Sequence, residues 1–324
     1  MTIRSALLLA AALLAAPAMA QQADAYPSKR LALVVPFATG NGIDQLSREF
    51  AEVLRTQVNQ PVVVENREGA GGIIGASYAA RAEPDGYTVL VESHPPFGTA
   101  PMLQKTPAFD PVTSFLPVAK VGSVPLVAVA SGTMPFKTWQ EMAAYFKAHP
   151  DKANYAASGV GSPGQLFTQL IKSVSGLPLQ EISYKSTAQA MTDTIGGQVQ
   201  LSLVSMPAAA SHIKAGTLRA LAIGSPKRLP GYPDVPTLAE VLGQPGFEAS
   251  VWYGFLVPAG TPQARVDKLY TEIARASKDP RIIELFARAN IAPDLQDPQQ
   301  FAATIKRDMA LARKMIETAR LTPQ

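Results

Sequence analysis

Leu31-Ala32-Leu33-Val34-Val35-Pro36-Phe37-Ala38-Thr39-Gly40-Asn41-Gly42-Ile43-Asp44 is the stretch whose reading decides the fold. An apolar run of strand length, residues 31–36, ends in proline and a glycine-bearing turn. A helix period then begins at once, because Ile43, Leu46, Phe50 and Leu54 recur at spacings of three and four and share one face. The other face carries Arg48, Glu49, Glu52 and Arg55. A buried strand turning directly into an amphipathic helix is a βα unit. The same alternation continues from Arg30 to about Ile223, which makes the class α/β with a largely parallel sheet. Further strands are expected over 62–65, 87–92, 126–130, 153–157, 181–184, 201–204, 218–223 and 251–257. After the last of these only helices are expected, over 263–277, 281–289 and 298–320.

Upstream of this unit, Arg4 gives a short positive start, residues 6–16 form an apolar stretch, and Ala18-Met19-Ala20 offers small residues where a signal peptidase reads. Residues 1–20 are therefore expected to be a cleaved signal peptide, and the mature protein periplasmic. A membrane anchor needs roughly 20 apolar residues, and this stretch gives way to polar Gln21 and Gln22. The chain has 324 residues and no cysteine, which excludes thiolate catalysis and Cys-based metal sites. Three histidines leave little for a metal, and no metal or other cofactor is expected. A net charge of +4 without any basic run argues against nucleic acid and suits an anionic ligand, though ordinary solubility explains it equally well.

Two long extended segments suggest domain boundaries. Residues 116–131 read as strand interrupted by Gly122 and Pro125, and residues 224–236 are rich in Pro and Gly. A first domain made of 21–120 plus 225–324, with a second domain of 121–224 inserted, follows from this pattern. Ligands usually sit in the cleft between such domains.

In an α/β sheet the ligand lies beyond the carboxyl ends of the strands, so the turns after strands carry the candidates. The first turn offers Ala38, Thr39, Asn41, Gly42 and Asp44. Backbone N–H groups at a helix start favour an anion there, or Asp44 merely stabilises the first helical turn. The second, Ser158-Gly159-Val160-Gly161-Ser162-Pro163-Gly164, presents hydroxyls and N–H donors before another helix. It also matches the G-x-G-x-x-G pattern of dinucleotide sites, with Glu181 about 20 residues on in the place of a ribose-binding acid. An exported protein has little access to such a cofactor. The third turn contributes Ser93 and His94. The fourth group contributes Tyr184 and Ser205, with Lys185 read as a surface residue. Trp252 and Tyr253 read as core or hinge packing. A secreted hydrolase would need Asp44, His94 and Ser158 to form a triad, which nothing in their spacing supports.

Beyond these turns, Gln60 to Gly72, Pro84-Asp85-Gly86-Tyr87-Thr88, Tyr184-Lys185, Gly196-Gly197-Gln198-Val199, His212 to Gly216, Pro233-Asp234-Val235-Pro236-Thr237 and Pro258-Ala259-Gly260-Thr261-Pro262 stand in order along the chain. Together with the first turn they resemble the Bug (TctC-type) receptors of tripartite tricarboxylate transporters. The resemblance implies a type II-like periplasmic binding protein fold, with two α/β domains joined by crossover strands and closing like a flytrap. It implies no catalysis, and a carboxylate held, partly through water, between the first and second turns. Thr39, Asn41 and Ile43 depart from the commoner family residues. Ser205 stands where many members carry an acid, which removes negative charge from the pocket. A dicarboxylate is therefore expected, aliphatic or aromatic of terephthalate type, with its second end near His94 and Ser205. The expected partners are the membrane permease subunits of the transporter, or a sensor protein, with the receptor itself a monomer.

Overall fold

The structure is a computed structural model that describes residues 26–40, 42–94, 96–157, 162–184 and 186–318. The expected signal peptide and its cleavage point lie outside the described residues. Strand β1 (Leu31–Val35) pairs in parallel with β2 (Val62–Asn66) on one side and β3 (Thr88–His94) on the other. Between β1 and β2 runs α1 (Gly42–Val58), whose Ile43, Leu46, Phe50 and Leu54 are all buried. Each such side chain contributes about 1.5–3 kcal/mol when withdrawn from water, which fixes the helix on the sheet. Helices α2 (Ile73–Ala80) and α3 (Pro96–Met102) flank β3.

The long strand β4 (Phe115–Ser131) changes partners along its length. From Phe115 to Pro125 it lies antiparallel to β9 (Ser250–Pro258), which in turn pairs with β3. From Leu126 onward it pairs with β7 (Leu201–Ser205) and, from Val127, with β8 (Leu218–Ile223). The exchange falls at Pro125, which has no N–H to give to a ladder, so ending one pairing there costs no donor. Beyond β7 the order continues through β5 (Asn154–Ala157) to β6 (Gln180–Ser183), both parallel. The second half carries α4 (Trp139–Ala148), α5 (Pro163–Ser175), α6 (Thr187–Ile195), α7 (Met206–Lys214) and α8 (Leu238–Leu242). The α/β class is as expected, but the strands that link the halves are antiparallel to their neighbours.

Each half has its own core. Leu33, Phe50, Val121 and Phe255 belong to the first, and Phe146, Tyr155, Leu166 and Leu203 to the second. Two expectations change here. Leu238 and Ala249 pack in the second core, so residues 225–249 stay with the second half and the chain returns on β9 rather than at residue 225. After β9, α9 (Gln263–Ala276) and α10 (Pro280–Arg288) are followed by another strand, β10 (Ala292–Gln296), paired only with β4. Its sequence Ala-Pro-Asp-Leu-Gln carries two residues poor in strands, and proline is tolerated because this is an edge. The last helix, α11 (Pro298–Thr318), buries Phe301, Ile305 and Met309 in the first half, while its Leu311 packs against the second core.

Candidate functional site

The first turn is built around Asp44, which is 1% exposed. Its carboxylate accepts the Gly40 N–H at 2.8 Å, Arg48 Nε at 3.0 Å and Asn66 Nδ2 at 2.9 Å. Asn66 also donates to the Phe37 carbonyl at 3.1 Å and accepts from Arg48 Nη2 at 2.9 Å. Burial by itself would raise the Asp44 carboxyl, but the bonds from Arg48, Gly40 and Asn66 outweigh it and hold the group below its ordinary value. Gly40, at φ 89°, takes a left-handed conformation that a side chain would strain. Asp44 thus shapes the turn, while Ala38, Thr39 and Gly40 are exposed. Asn41 lies outside the described residues.

Ser158, Gly159 and Gly161 of the second turn also lie outside the described residues. Ser162 caps α5, accepting the Gln165 N–H at 3.3 Å, and Pro163 follows at the first helical position. A β-carbon on Gly164 would stand 2.5 Å from the Leu203 carbonyl oxygen, so its absence lets this helix start rest directly on β7. Glu181 ties the first turns of α5 to β5. Its carboxylate accepts from the Tyr155 hydroxyl, from Gln165 Nε2 at 2.8 Å, from Gln169 Nε2 at 3.1 Å and from the Ser183 hydroxyl at 3.1 Å. Burial would raise this carboxyl, but those bonds keep it below its ordinary value. An acid so occupied is not presented to a ribose, which removes the dinucleotide reading of Glu181.

His94 is the final residue of β3, not part of a turn, and is 2% exposed. Its ring stacks on Trp252 at 5.8 Å between centroids, and neither ring nitrogen has a hydrogen-bond partner. Burial pushes its pKa down to about 4, against the opposing charge of Asp308, so the ring is neutral at ordinary pH. Ser93 precedes it in the strand, opposite Tyr253. Tyr184 donates its hydroxyl to Asp193 at 2.9 Å and packs beside Ala156 and Ala190. Ser205 ends β7 and precedes α7 without a side-chain capping bond.

Among the described residues, three chambers are lined from both halves. One of about 350 Å³ is walled by Phe37, Ile73, Ala100, Leu103, Ser162 and Pro163, with no charged side chain among the described lining residues. A second, about 550 Å³, is lined by Gly42, Gln45, Ser205, Pro207, Tyr253 and Arg288, with Val124 and Ile291 at its base. The first turn runs from one to the other, since Phe37 lines the first and Gly42 the second. A third, about 230 Å³, contains His94 with Trp252, Lys120, Arg307 and Asp308. The structure therefore brings Gly42 together with Ser205, and Phe37 together with Ser162. It sets His94 apart from Ser205, so the expected pairing of those two residues around one ligand end is replaced. Ser93 and Tyr184 line none of the three.

Sequence reasoning passed over Arg288 and Glu92 and read Tyr253 as core or hinge packing, whereas Tyr253 lines the second chamber. Strand alternation would have revealed Tyr253, because with Trp252 buried at 2% its neighbour must face the other side. Glu92 is 1% exposed and its Oε2 has no partner. Burial pushes this carboxyl well above its ordinary value, opposed only by a bond from the Ser93 N–H. No group of three or more potential metal ligands occurs among the described residues, and none of their helices is long and apolar enough to cross a membrane.

Residues 46–321 match the family model described as tripartite tricarboxylate transporter family receptor, TctC. The chain is 36% identical to protein BugT of Bordetella pertussis over 279 residues, 86% of this chain and 85% of BugT. It is similar to the structure of the periplasmic binding protein BugD, with a TM-score of 0.73 and 36% identity over 92% of this chain and all of the other. It is also similar to the R. palustris protein Rpa4515 with adipate, with a TM-score of 0.76 and 31% identity over 92% of this chain and all of that one.

Proposed function

Because the chain belongs to the TctC family of tripartite tricarboxylate transporter receptors, we propose that it is exported to the periplasm, captures a small carboxylate between its halves, and delivers it to the membrane subunits of such a transporter. The family is one of solute-binding receptors, and binding rather than bond chemistry is the role proposed here.

The convergence of turns from both halves carries this reading: Gly42 shares a chamber with Ser205, and Phe37 shares one with Ser162. A carboxylate held at that junction would meet the start of α1 and the start of α5, where partial positive charge and unbonded N–H groups favour a negative oxygen. The two networks, around Asp44 in the first turn and around Glu181 beside the start of α5, support it by fixing those elements before a ligand arrives, which lowers the ordering cost of binding. Bridging water can complete such a grip at little cost. The halves, taken as hinged domains joined through β4 and β9, would close on the ligand and select the state a membrane partner reads.

Within this class we place a dicarboxylate first, since Rpa4515, with adipate bound, is a relative and the acid-free chamber beside Ser205 suits a second carboxylate. The apolar wall of Phe37, Ile73 and Leu103 favours a second reading, a carboxylate whose body is aromatic or branched and lies in the chamber those residues line.

Calorimetry of the mature protein against a panel of mono- and dicarboxylates tests the proposal. At least one member should bind in the micromolar range or tighter. Binding of none, with sugars or cations bound instead, overturns it.

A further inference from the structure

Building on the carboxylate reading, we propose that Arg288 is the residue that selects a dicarboxylate, receiving the second carboxylate in the chamber that Ser205 and Tyr253 share. Arg288 is the one charged side chain among the described residues that line this chamber. The chamber beside Phe37 and Ser162 has none, and in the third Lys120 and Arg307 are balanced by Glu248 and Asp308. Of the three, only this chamber has a positive wall, and a dianion needs one: a carboxylate taken from water without a partner is strongly disfavoured.

The arginine is available for that task. Several arginines of the described chain are tied to acids, as Arg48 is to Asp44, Arg228 to Glu240 and Arg307 to Asp308. Arg288 makes no ion pair or hydrogen bond, not even with Glu284 one turn earlier on α10. A planar guanidinium can take a carboxylate in two parallel bonds, which a surface lysine cannot reproduce.

Its neighbours supply the rest of a receptor for an anion. The Ser205 hydroxyl makes no capping bond, although it stands at the start of α7. The Tyr253 hydroxyl makes no hydrogen bond, and burial alone raises its pKa, so it remains a proton donor across the neutral range. It reaches the start of α1, 3.4 Å from where a β-carbon on Gly42 would stand. The opposing explanation is that Arg288 only favours the carboxyl end of α10, where it occupies the last turn. That role would not depend on which ligand is present.

The test compares full-length mature protein with Arg288→Gln and Arg288→Lys by calorimetry, using matched pairs: succinate and butyrate, adipate and hexanoate, terephthalate and benzoate. For the wild type, the dicarboxylate of at least one pair should bind more tightly than its monoacid. Arg288→Gln should weaken that dicarboxylate by about 10- to 100-fold, the range for losing a charged hydrogen bond, and change the monoacid less than about twofold. Arg288→Lys should recover part of the loss, and an unchanged melting curve should show that the fold is intact. Equal loss for both members of a pair, or no loss in either, overturns the role of Arg288 while leaving carboxylate capture standing. Binding of no carboxylate by the wild type removes both.

Discussion

The hydroxyl of Tyr253, on the strand that links the two halves, lies 3.4 Å from the point where a β-carbon on Gly42 would stand. The start of α1 and the floor of the larger chamber are thus in near contact, and the residue at position 42 controls the space between them.

Replacing Gly42 by valine should therefore fill the entrance of that chamber. The backbone at Gly42 is not left-handed, so the substitution is tolerated by the helix and the fold should survive with a loss of about 1 kcal/mol or less. Affinity for whichever carboxylate the wild type binds should drop at least tenfold, because a branched side chain cannot avoid the Tyr253 hydroxyl. Titration calorimetry of Gly42→Val beside Gly42→Ala gives the reading; affinity unchanged in both would mean the chamber is not occupied by ligand.

Asp44 should be more important to stability than its place in a turn suggests. Asp44→Ala strips the Gly40 N–H, Arg48 and Asn66 of their shared acceptor, and the expected loss is about 2–4 kcal/mol in denaturant melts. The carboxyl is held below its ordinary value in the folded protein, so its contribution is complete above the unfolded value near 3.8 and disappears as pH falls through the lower folded value. The gap between wild type and Asp44→Ala should then narrow only in acid below about pH 4. A constant gap down to pH 2 would contradict this.

Glu92 works in the opposite direction. Its folded pKa is raised far above 4.5 by burial, so the unfolded chain loses this proton first and stability declines as pH rises above about 4.5. Glu92→Gln removes the titrating group while keeping its size. The variant should match or fall below wild type near pH 4 and gain on it steadily toward pH 8. Melting curves at both ends of that range check the sign; a gap independent of pH would show that Glu92 is not held neutral.

Much of this arrangement was legible before any coordinates, for local reasons. The period of three and four from Ile43 to Leu54 specifies α1, the apolar run 31–36 specifies β1, and the partner-changing β4 is readable as one long extended segment broken at Pro125. β10 was not legible, because Ala292-Pro293-Asp294 owes its strand form to an open edge of β4 rather than to its own preference. The division at 225 failed for a related reason: Leu238 and Ala249 join the second core through contacts distant in sequence.

For the site the split is sharper. A strand end marks where a ligand can lie but not which way the last side chain points, and so His94 went to the core face against Trp252 while Tyr253 faced the larger chamber. By itself, then, the sequence determined the class, most of the order of elements and the turn between β1 and α1, since these follow from periodicity and glycine placement within a few residues. Only the tertiary structure decided that Gly42 shares a chamber with Ser205, that Asp44 and Glu181 are absorbed in internal hydrogen-bond networks, and that Arg288 stands unpaired at a shared chamber. The first spans more than a hundred residues of chain and is set by how two cores pack on shared strands, while the carboxylate networks join side chains from different elements, as Asp44 to Asn66 and Glu181 to Gln165, so periodicity within one element encodes none of them.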